Sequence, residues 1–320
     1  MQHSSSPKNS TVVRSKNVVR LTRAALQTAY LLSEDLGTSF AERLFTTPRR
    51  HPRPDRERAV LASAHQGSVE VTLRAPRWHH HRISVATWRW GVGPAVLLVH
   101  GWEGRGSQLG AFVEPLVAAG MSVVAFDAPG HGDSPDHRLY LTDLADCIAD
   151  VAAATGPLHG IIAHSFGAAA TLLAFQQSGV RAPRNVMVAP NVLLDDAFQR
   201  FARTVGLDDS DRTALEQRLA AQTGQPIDAL RLPALTAQRD DALLVLHDRD
   251  DREVSFRHAA ELAATWPHAQ LHPTTGLGHR RILRDPGVLA TVTEFVRFGV
   301  PLPASDLVRE VDRQLATRPS

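Results

Sequence analysis

Short, unbroken apolar runs recur along this chain and alternate with stretches whose apolar residues return every three or four positions. The runs at Ala95–Val99 and Ser122–Phe126, and those at 160–163, 185–190 and 242–247, carry almost no polar residue. Strands that read this way are buried on both faces, which is the mark of a parallel sheet covered by helices. Two earlier strands, near 68–73 and 83–88, alternate in polarity and suit a half-exposed edge. A last strand is expected near 269–272, followed by a helix over 288–298 that closes the domain.

The alternation fails in two places. Residues 191–240 contain no buried strand; their spacing predicts helices at 193–205 and 210–222 and a third segment near 226–232, a helical insertion. At the other end, residues 1–16 are Ser-rich and basic and are expected to be disordered. Val19, Leu21, Ala24, Leu26, Leu31, Leu36, Phe40 and Leu44 then predict one or two amphipathic helices over 17–45. These could pack on the main domain, form a homodimer surface or lie on a membrane; packing is the simplest use. Arg49, Arg50, His51, Pro52, Arg53 and Pro54 make a linker that cannot continue a helix. A final amphipathic helix is expected over 305–316, capped by Ser305. The expected organisation is a basic, partly helical extension (1–60), a core (61–190), the insertion as a cap (191–240), the rest of the core (241–300) and a C-terminal helix (301–320). The fold class is α/β: a mostly parallel, doubly wound eight-stranded sheet with a small helical cap and an N-terminal helical extension.

Composition narrows the function. At 320 residues and 43% hydrophobic, the chain can bury one large core. Of its 35 Lys and Arg, only Lys8 and Lys16 are lysines, a bias of composition. Residues 1–60 hold eleven Lys or Arg against five Asp or Glu, so the rest of the chain is slightly acidic although the total is +2. The core is therefore not a nucleic-acid surface. Cys147 is the single cysteine, which excludes an internal disulfide; its helical surroundings place it in the core. No uncharged apolar stretch reaches the length of a membrane span, and Arg20 and Arg23 interrupt the apolar 18–32 segment, so neither a span nor a signal peptide is expected. The cytoplasm is the default compartment. Trp78, His79, His80 and His81 invite a metal reading, but neighbouring strand residues point to opposite faces and rarely converge on one ion. They are expected at a solvated hairpin tip, with no metal and no cofactor.

The chemistry gathers where apolar runs end. The run at 160–163 leads through His164 to Ser165, and small residues then open an alanine-rich helix. That is strand, sharp turn, helix, with a serine lifted at the turn. The helix begun at Phe166 aims free N–H groups back at it. The Ala95–Val99 run ends in His100, Gly101 and Trp102 within a glycine-rich loop; no Gly-Lys-Ser/Thr follows, so a phosphate loop is excluded. Ser122–Phe126 ends in the turn-rich loop from Asp127 to Ser134. Asp248, Asp250 and Asp251 follow the 242–247 run, and His279 lies on a loop with Gly276 and Gly278.

These four separated motifs, spread over about 65–300, resemble the α/β-hydrolase family. The family's triad order is serine, acid, histidine, which Ser165, Asp251 and His279 follow. Ala163 stands where the elbow usually has glycine, a departure of one methyl group. The resemblance implies a serine hydrolase: His279 takes the proton of Ser165, and Asp251 fixes the imidazole. Asp248 and Asp250 are rivals to Asp251. Asp248 sits where the family often has glycine, and Asp250 would face the other way in an extended segment. The oxyanion-hole donors implied are the backbone N–H groups of Trp102 and Phe166. His131 and His164 flank the site and are expected to serve local packing. Relatives that open epoxides or displace halide carry aspartate at the elbow, and the haloperoxidase branch usually has Ser-Met-Gly-Gly, where this chain has Ser-Phe-Gly-Ala.

The implied activity is hydrolysis of a carboxylic ester or thioester through a Ser165 acyl-enzyme. An acyltransferase using the same residues and a non-catalytic receptor are the alternatives. The substrate pocket is expected between the sheet edge and the insertion. Its expected lining is Trp102, Phe166, Leu193, Leu194, Phe198 and Phe201, which suits an acyl or aromatic ester over a charged one.

Overall fold

The computed structural model describes residues 8–299 except 79, 227–231, 233–235 and 237, with side chains from residue 17 onward. In chain order the strands are β1 (His65–Leu73), β2 (His81–Trp90), β3 (Ala95–Val99), β4 (Ser122–Phe126), β5 (Leu158–His164), β6 (Arg184–Val188), β7 (Ala242–Asp248) and β8 (Ala269–Thr274). They form one eight-stranded sheet in the order β1-β2-β4-β3-β5-β6-β7-β8. β1 and β2 pair antiparallel, as do β2 and β4; all later pairs are parallel. The reversals in strand order bring the ends of β3, β4, β5 and β7 to one edge, where such sheets place their ligands.

The all-apolar runs are the central strands. Every residue of β3 and β4 is buried, because helices cover both faces. On one face pack α5 (Leu141–Thr155), α6 (Phe166–Ser178) and α9 (Arg257–Thr265), through residues such as Leu144, Ile148, Leu173 and Leu262. Cys147 lies in this cluster, fully buried. On the other face pack α4 (Val113–Ala118) and α11 (Pro286–Phe298), through Leu116, Val292 and Phe295.

A third apolar cluster lies off the sheet. The helices α1 (Lys8–Leu32) and α2 (Glu34–Thr46) meet α7 (Leu194–Val205) and α8 (Asp209–Thr223) around Leu26, Ala41, Phe198 and Leu215. The N-terminal extension and the insertion are thus one helical layer. Arg23 donates to the carbonyls of Arg203 and Thr204 at 2.8 and 2.7 Å, satisfying the open end of α7. Arg218 of α8 binds Glu42 and Asp35 at 2.8 and 2.9 Å.

Several expectations change. Helix α1 starts at Lys8, so residues 8–16 are not the disordered segment expected of them; their polar residues lengthen a helix anchored further along by Leu26. Helix α3 (Asp55–Ala62) follows the linker unannounced, because its eight residues are too few and too polar to show a period. Trp78 is not at a solvated tip: its indole Nε1–H donates to Asp143 at 3.0 Å and its ring lies 4.4 Å from that of His137. Among the described residues no group of three His, Cys, Asp or Glu could hold a metal ion, and no helix is long and apolar enough to cross a membrane. Most of the segment expected near 226–232, and all of the helix expected over 305–316, lie outside the described residues.

Candidate active site

Ser165 occupies the turn between β5 and α6 with φ 54° and ψ −121°. A side chain pays about 1–3 kcal/mol to sit in such a conformation and stays only where its surroundings insist. Here its N–H donates to the Val188 carbonyl at 3.1 Å, and its carbonyl accepts from Ala168 and Asn191 at 3.0 and 3.1 Å. The neighbours must be small. A Cβ on Gly167 would lie 2.4 Å from the His100 oxygen, and one on Gly101 2.9 Å from Ser165 Cβ. Ala163 is fully buried, so its extra methyl is accommodated in the core.

His279 comes from the loop and single-turn helix α10 (Gly278–Arg281) that follow β8, 114 residues further along the chain. Gly276 and Gly278, with φ of 78° and 64°, turn that loop toward the elbow. His279 Nε2 is 3.0 Å from Ser165 Oγ, and its Nδ1 is 2.7 Å from Asp251 Oδ2. A carboxylate only accepts, so Nδ1 carries the hydrogen and Nε2 offers its lone pair to the serine hydroxyl. The Ser165 and His279 residues are each 8% exposed, and the Asp251 side chain is fully buried.

Asp251 is heavily held. Its Oδ1 accepts from the N–H groups of Glu253 and Val254, and its Oδ2 also stands 3.3 Å from Nε2 of the buried His247. Burial alone would raise its pKa; hydrogen bonds from His247 and His279 outweigh that and hold the carboxyl well below its ordinary range. The two rival aspartates take different work. Asp248 accepts from Asp250 N, Thr274 Oγ1 and Leu277 N, and Asp250 accepts from Gly276 N. Both secure the loop that carries His279 instead of touching its ring.

Three further histidines brace the site as neutral groups. His164 Nε2 donates to the His279 carbonyl at 3.1 Å. Burial, then the neighbouring His279, lower its pKa to about 3. His100 accepts from Ala128 N through Nε2 and donates from Nδ1 to the Gly101 carbonyl at 2.7 Å. His131 accepts from Glu103 N and donates to the Pro129 carbonyl. Burial pushes these two down to about 4 and about 3. Between them they fix the peptides on either side of Trp102. Because a peptide is planar and trans, anchoring the Gly101 carbonyl also sets the direction of the Trp102 N–H. Phe166 opens α6, so its N–H has no partner within the helix.

A cavity of about 510 Å³ adjoins the elbow. Trp102, Phe166, Leu194, Phe198 and Phe201 line it as expected, but Leu193 does not. Leu193 N is drawn instead toward the buried Nδ1 of His258 at 3.2 Å, which also accepts from Val192 N. The expected boundary was also too narrow: Val18, Val19 and Thr22 of α1 and Leu44 and Phe45 of α2 line it too. Their apolar spacing announced helices, but spacing does not say where a helix docks. His247 was missed as well, for a lone histidine at the end of a buried strand carries no signal of its partner.

The sequence model of the alpha/beta hydrolase family matches residues 96–292. This chain belongs to the alpha/beta hydrolase family. The hydrolase is 30% identical over 235 residues, 60% of its own length and 90% of the relative's, to a pimeloyl-[acyl-carrier protein] methyl ester esterase of Xanthomonas axonopodis pv. citri (strain 306). Among solved structures it is similar to a monoacylglycerol lipase of Paleococcus ferrophilus, at 19% identity over 67% of this chain and 98% of that one, with a TM-score of 0.53. It is also similar to an esterase of Exiguobacterium antarcticum, at 14% identity over 72% and 100%, with a TM-score of 0.53. At those identities the two structures speak for the fold of the hydrolase.

Proposed function

We propose that this hydrolase cleaves a carboxylic ester or thioester through an acyl-enzyme on Ser165. The observation that carries the reading is the chain of contacts from Ser165 Oγ to His279 Nε2 at 3.0 Å and from His279 Nδ1 to Asp251 at 2.7 Å. A free serine hydroxyl is a weak nucleophile and needs such a base. His279 takes its proton as Oγ bonds to the acyl carbon, and Asp251 stabilises the imidazolium. The N–H groups of Trp102 and Phe166 receive the oxyanion, a role supported by the fixed peptides around Trp102 and by the helix start at Phe166. His279 then gives its proton to the departing alcohol or thiol. Water, deprotonated by His279 in turn, attacks the acyl carbon, and the acid leaves as Ser165 regains its proton.

The esterase relative supports an ester as substrate, and the leucine and phenylalanine side chains of the cavity support an acyl chain. The cytoplasm remains the expected compartment under this reading. The test is turnover of p-nitrophenyl esters together with labelling by a fluorophosphonate. Ser165→Ala should abolish labelling, and Ser165→Ala and His279→Ala should each lower kcat by about 10⁴- to 10⁶-fold. Product passing to an added alcohol in preference to water would make it an acyltransferase. A folded protein that neither labels nor turns over any ester would overturn the proposal and leave a receptor.

A further inference from the structure

We infer that the N-terminal helices α1 and α2 are a wall of the acyl-binding cavity and set the length of the acyl chain it accepts. The inference rests on the ester-hydrolase reading for the identity of the ligand, but its geometry stands apart from it. Val19 and Thr22 of α1 and Leu44 and Phe45 of α2 face the same 510 Å³ space as Phe198 and Phe201 of α7. The family match begins at residue 96, so these helices are an addition of this chain to the matched region.

The wall is built to stay in place. The Phe45 ring meets Phe201 and Phe198 edge to face, with centroids 4.9 and 5.7 Å apart. Arg23 closes the end of α7, and Arg218 joins α8 to α2 through the buried Glu42. Loss of these contacts would cost the shared apolar cluster its partners on one side.

The chemistry of the lining selects the ligand. Of the five threonines that line the cavity, three have hydroxyls engaged within their own helices: Thr46 donates to the Glu42 carbonyl, Thr204 to that of Arg200 and Thr223 to that of Leu219, at 2.7–2.9 Å. The Tyr140 hydroxyl donates to Glu42 at 2.6 Å. These residues offer methyl groups and ring faces to the cavity. Of its charged lining residues, Arg49 and Glu103 contact each other. The apolar side chains of Leu44, Phe45, Phe166, Leu194 and Phe201 leave an apolar chain the better match over most of the wall. The volume lies within the range of pockets that enclose a whole small ligand. One end of the cavity reaches Trp102, Phe166 and Asn191, which flank Ser165, so an acyl chain lying in it would present its carbonyl at the elbow and its tail toward α1.

The experiment uses the full chain and two readouts. Thr22→Trp and Val19→Phe each add bulk to the wall. For each, kcat/KM on p-nitrophenyl esters of graded length should fall about tenfold or more at the longest chains the native protein prefers, since one methylene in an apolar pocket is worth about 10–200-fold. The acetate ester should change less than twofold. Phe45→Ala should move the preferred length upward. Leu31→Ala, on the outer side of α1 where Leu31 is 88% exposed, should leave the profile as it was. In parallel, calorimetric affinity for decanoate, measured on Ser165→Ala and on Ser165→Ala carrying each wall substitution, should weaken about tenfold with either one. Weakened decanoate binding without any ester turnover would keep the wall and defeat the esterase reading. Ester turnover with length profile and decanoate affinity unmoved in both folded wall variants would defeat the wall. If one variant melts below assay temperature, the other and Phe45→Ala decide.

Discussion

His247 and Asp251 lie four residues apart and meet inside the protein, with Nε2 of the imidazole 3.3 Å from Oδ2 of the carboxylate, both side chains fully buried. It is the same oxygen that His279 engages. Nε2 of His247 also faces the Val254 carbonyl at 3.1 Å, so it stands between two acceptors and carries the hydrogen. His247 and His279 thus meet one carboxylate oxygen, each with a ring nitrogen. His247→Phe removes that donor without adding charge. It should lower kcat on a p-nitrophenyl ester by about tenfold with little change in KM, because it loosens one hydrogen bond to the group that orients the base. An unchanged kcat would mean that Asp251 is held well enough by the N–H groups of Glu253 and Val254.

The three neighbouring aspartates separate by substitution. Asp251→Asn keeps the shape but presents an amide to Nδ1, and should lower kcat by about 10⁴-fold. Asp248→Asn strips ionised acceptors from Thr274 and Leu277. It should lower the melting temperature and cost about 1.5–3 kcal/mol of stability, with a smaller loss of kcat. Asp250→Asn should do least, since the Asp250 side chain is exposed and accepts from Gly276 N. The paired kcat and melting curves decide; a larger kcat loss for Asp248→Asn than for Asp251→Asn would move the acid's role to Asp248.

The elbow tolerates a methyl group at one small position and not at the other. Gly167→Ala would push a Cβ to 2.4 Å from the His100 oxygen and 2.9 Å from the Val99 oxygen, both backbone atoms that cannot step aside. Its cost in denaturant unfolding should be at least about 1–3 kcal/mol, with activity falling as Ser165 is displaced. Ala163→Gly should lose only about 0.5–1 kcal/mol and keep its kcat. Equal stability of the two variants would show that the helix can shift without harm.

Acid should unfold this protein in a way its neutral histidines dictate. Burial holds His100, His131, His164 and His258 at about 3 to 4 in the folded chain, against about 6.5 when unfolded. Between those values the unfolded chain takes up protons that the folded chain refuses. Their contribution is complete above about pH 6.5 and is lost as pH falls toward the folded values, each group adding about 1.4 kcal/mol per pH unit to the slope. Asp143 opposes them. Burial pushes it up to about 6 despite its pairing with Arg77, so its contribution is lost as pH rises from about 4 to 6. His137, which burial also lowers to about 4, joins the four histidines, and Asp127 and Asp146, which burial raises, join Asp143. The histidines, with the larger span between folded and unfolded values over this range, give a melting temperature that falls from pH 7 to pH 5. A flat or rising melting temperature on acidification would show that these rings are solvated.

Much of this was written along the chain. The unbroken runs of β3, β4, β6 and β7 announced strands covered on both sides, because only a parallel sheet under helices leaves no polar face. The order of Ser165, Asp251 and His279 could be picked out because each follows a strand end, and strand ends of such a sheet share an edge. Other features had no local signature. Helix α3 was too short for a period, and Trp78 looked solvated because its partner Asp143 lies 65 residues away.

The sequence by itself determined which segments become strands and helices and which side chains stand at strand ends, since periodicity and turn residues act within a few positions. Only the tertiary structure decided that helices from the first 46 residues line a cavity together with an insertion begun near residue 194, that His247 meets Asp251, and that Leu193 is not part of that lining. Those outcomes depend on docking between segments far apart in the chain, where complementary shape and paired polar groups choose among many faces of similar hydrophobicity.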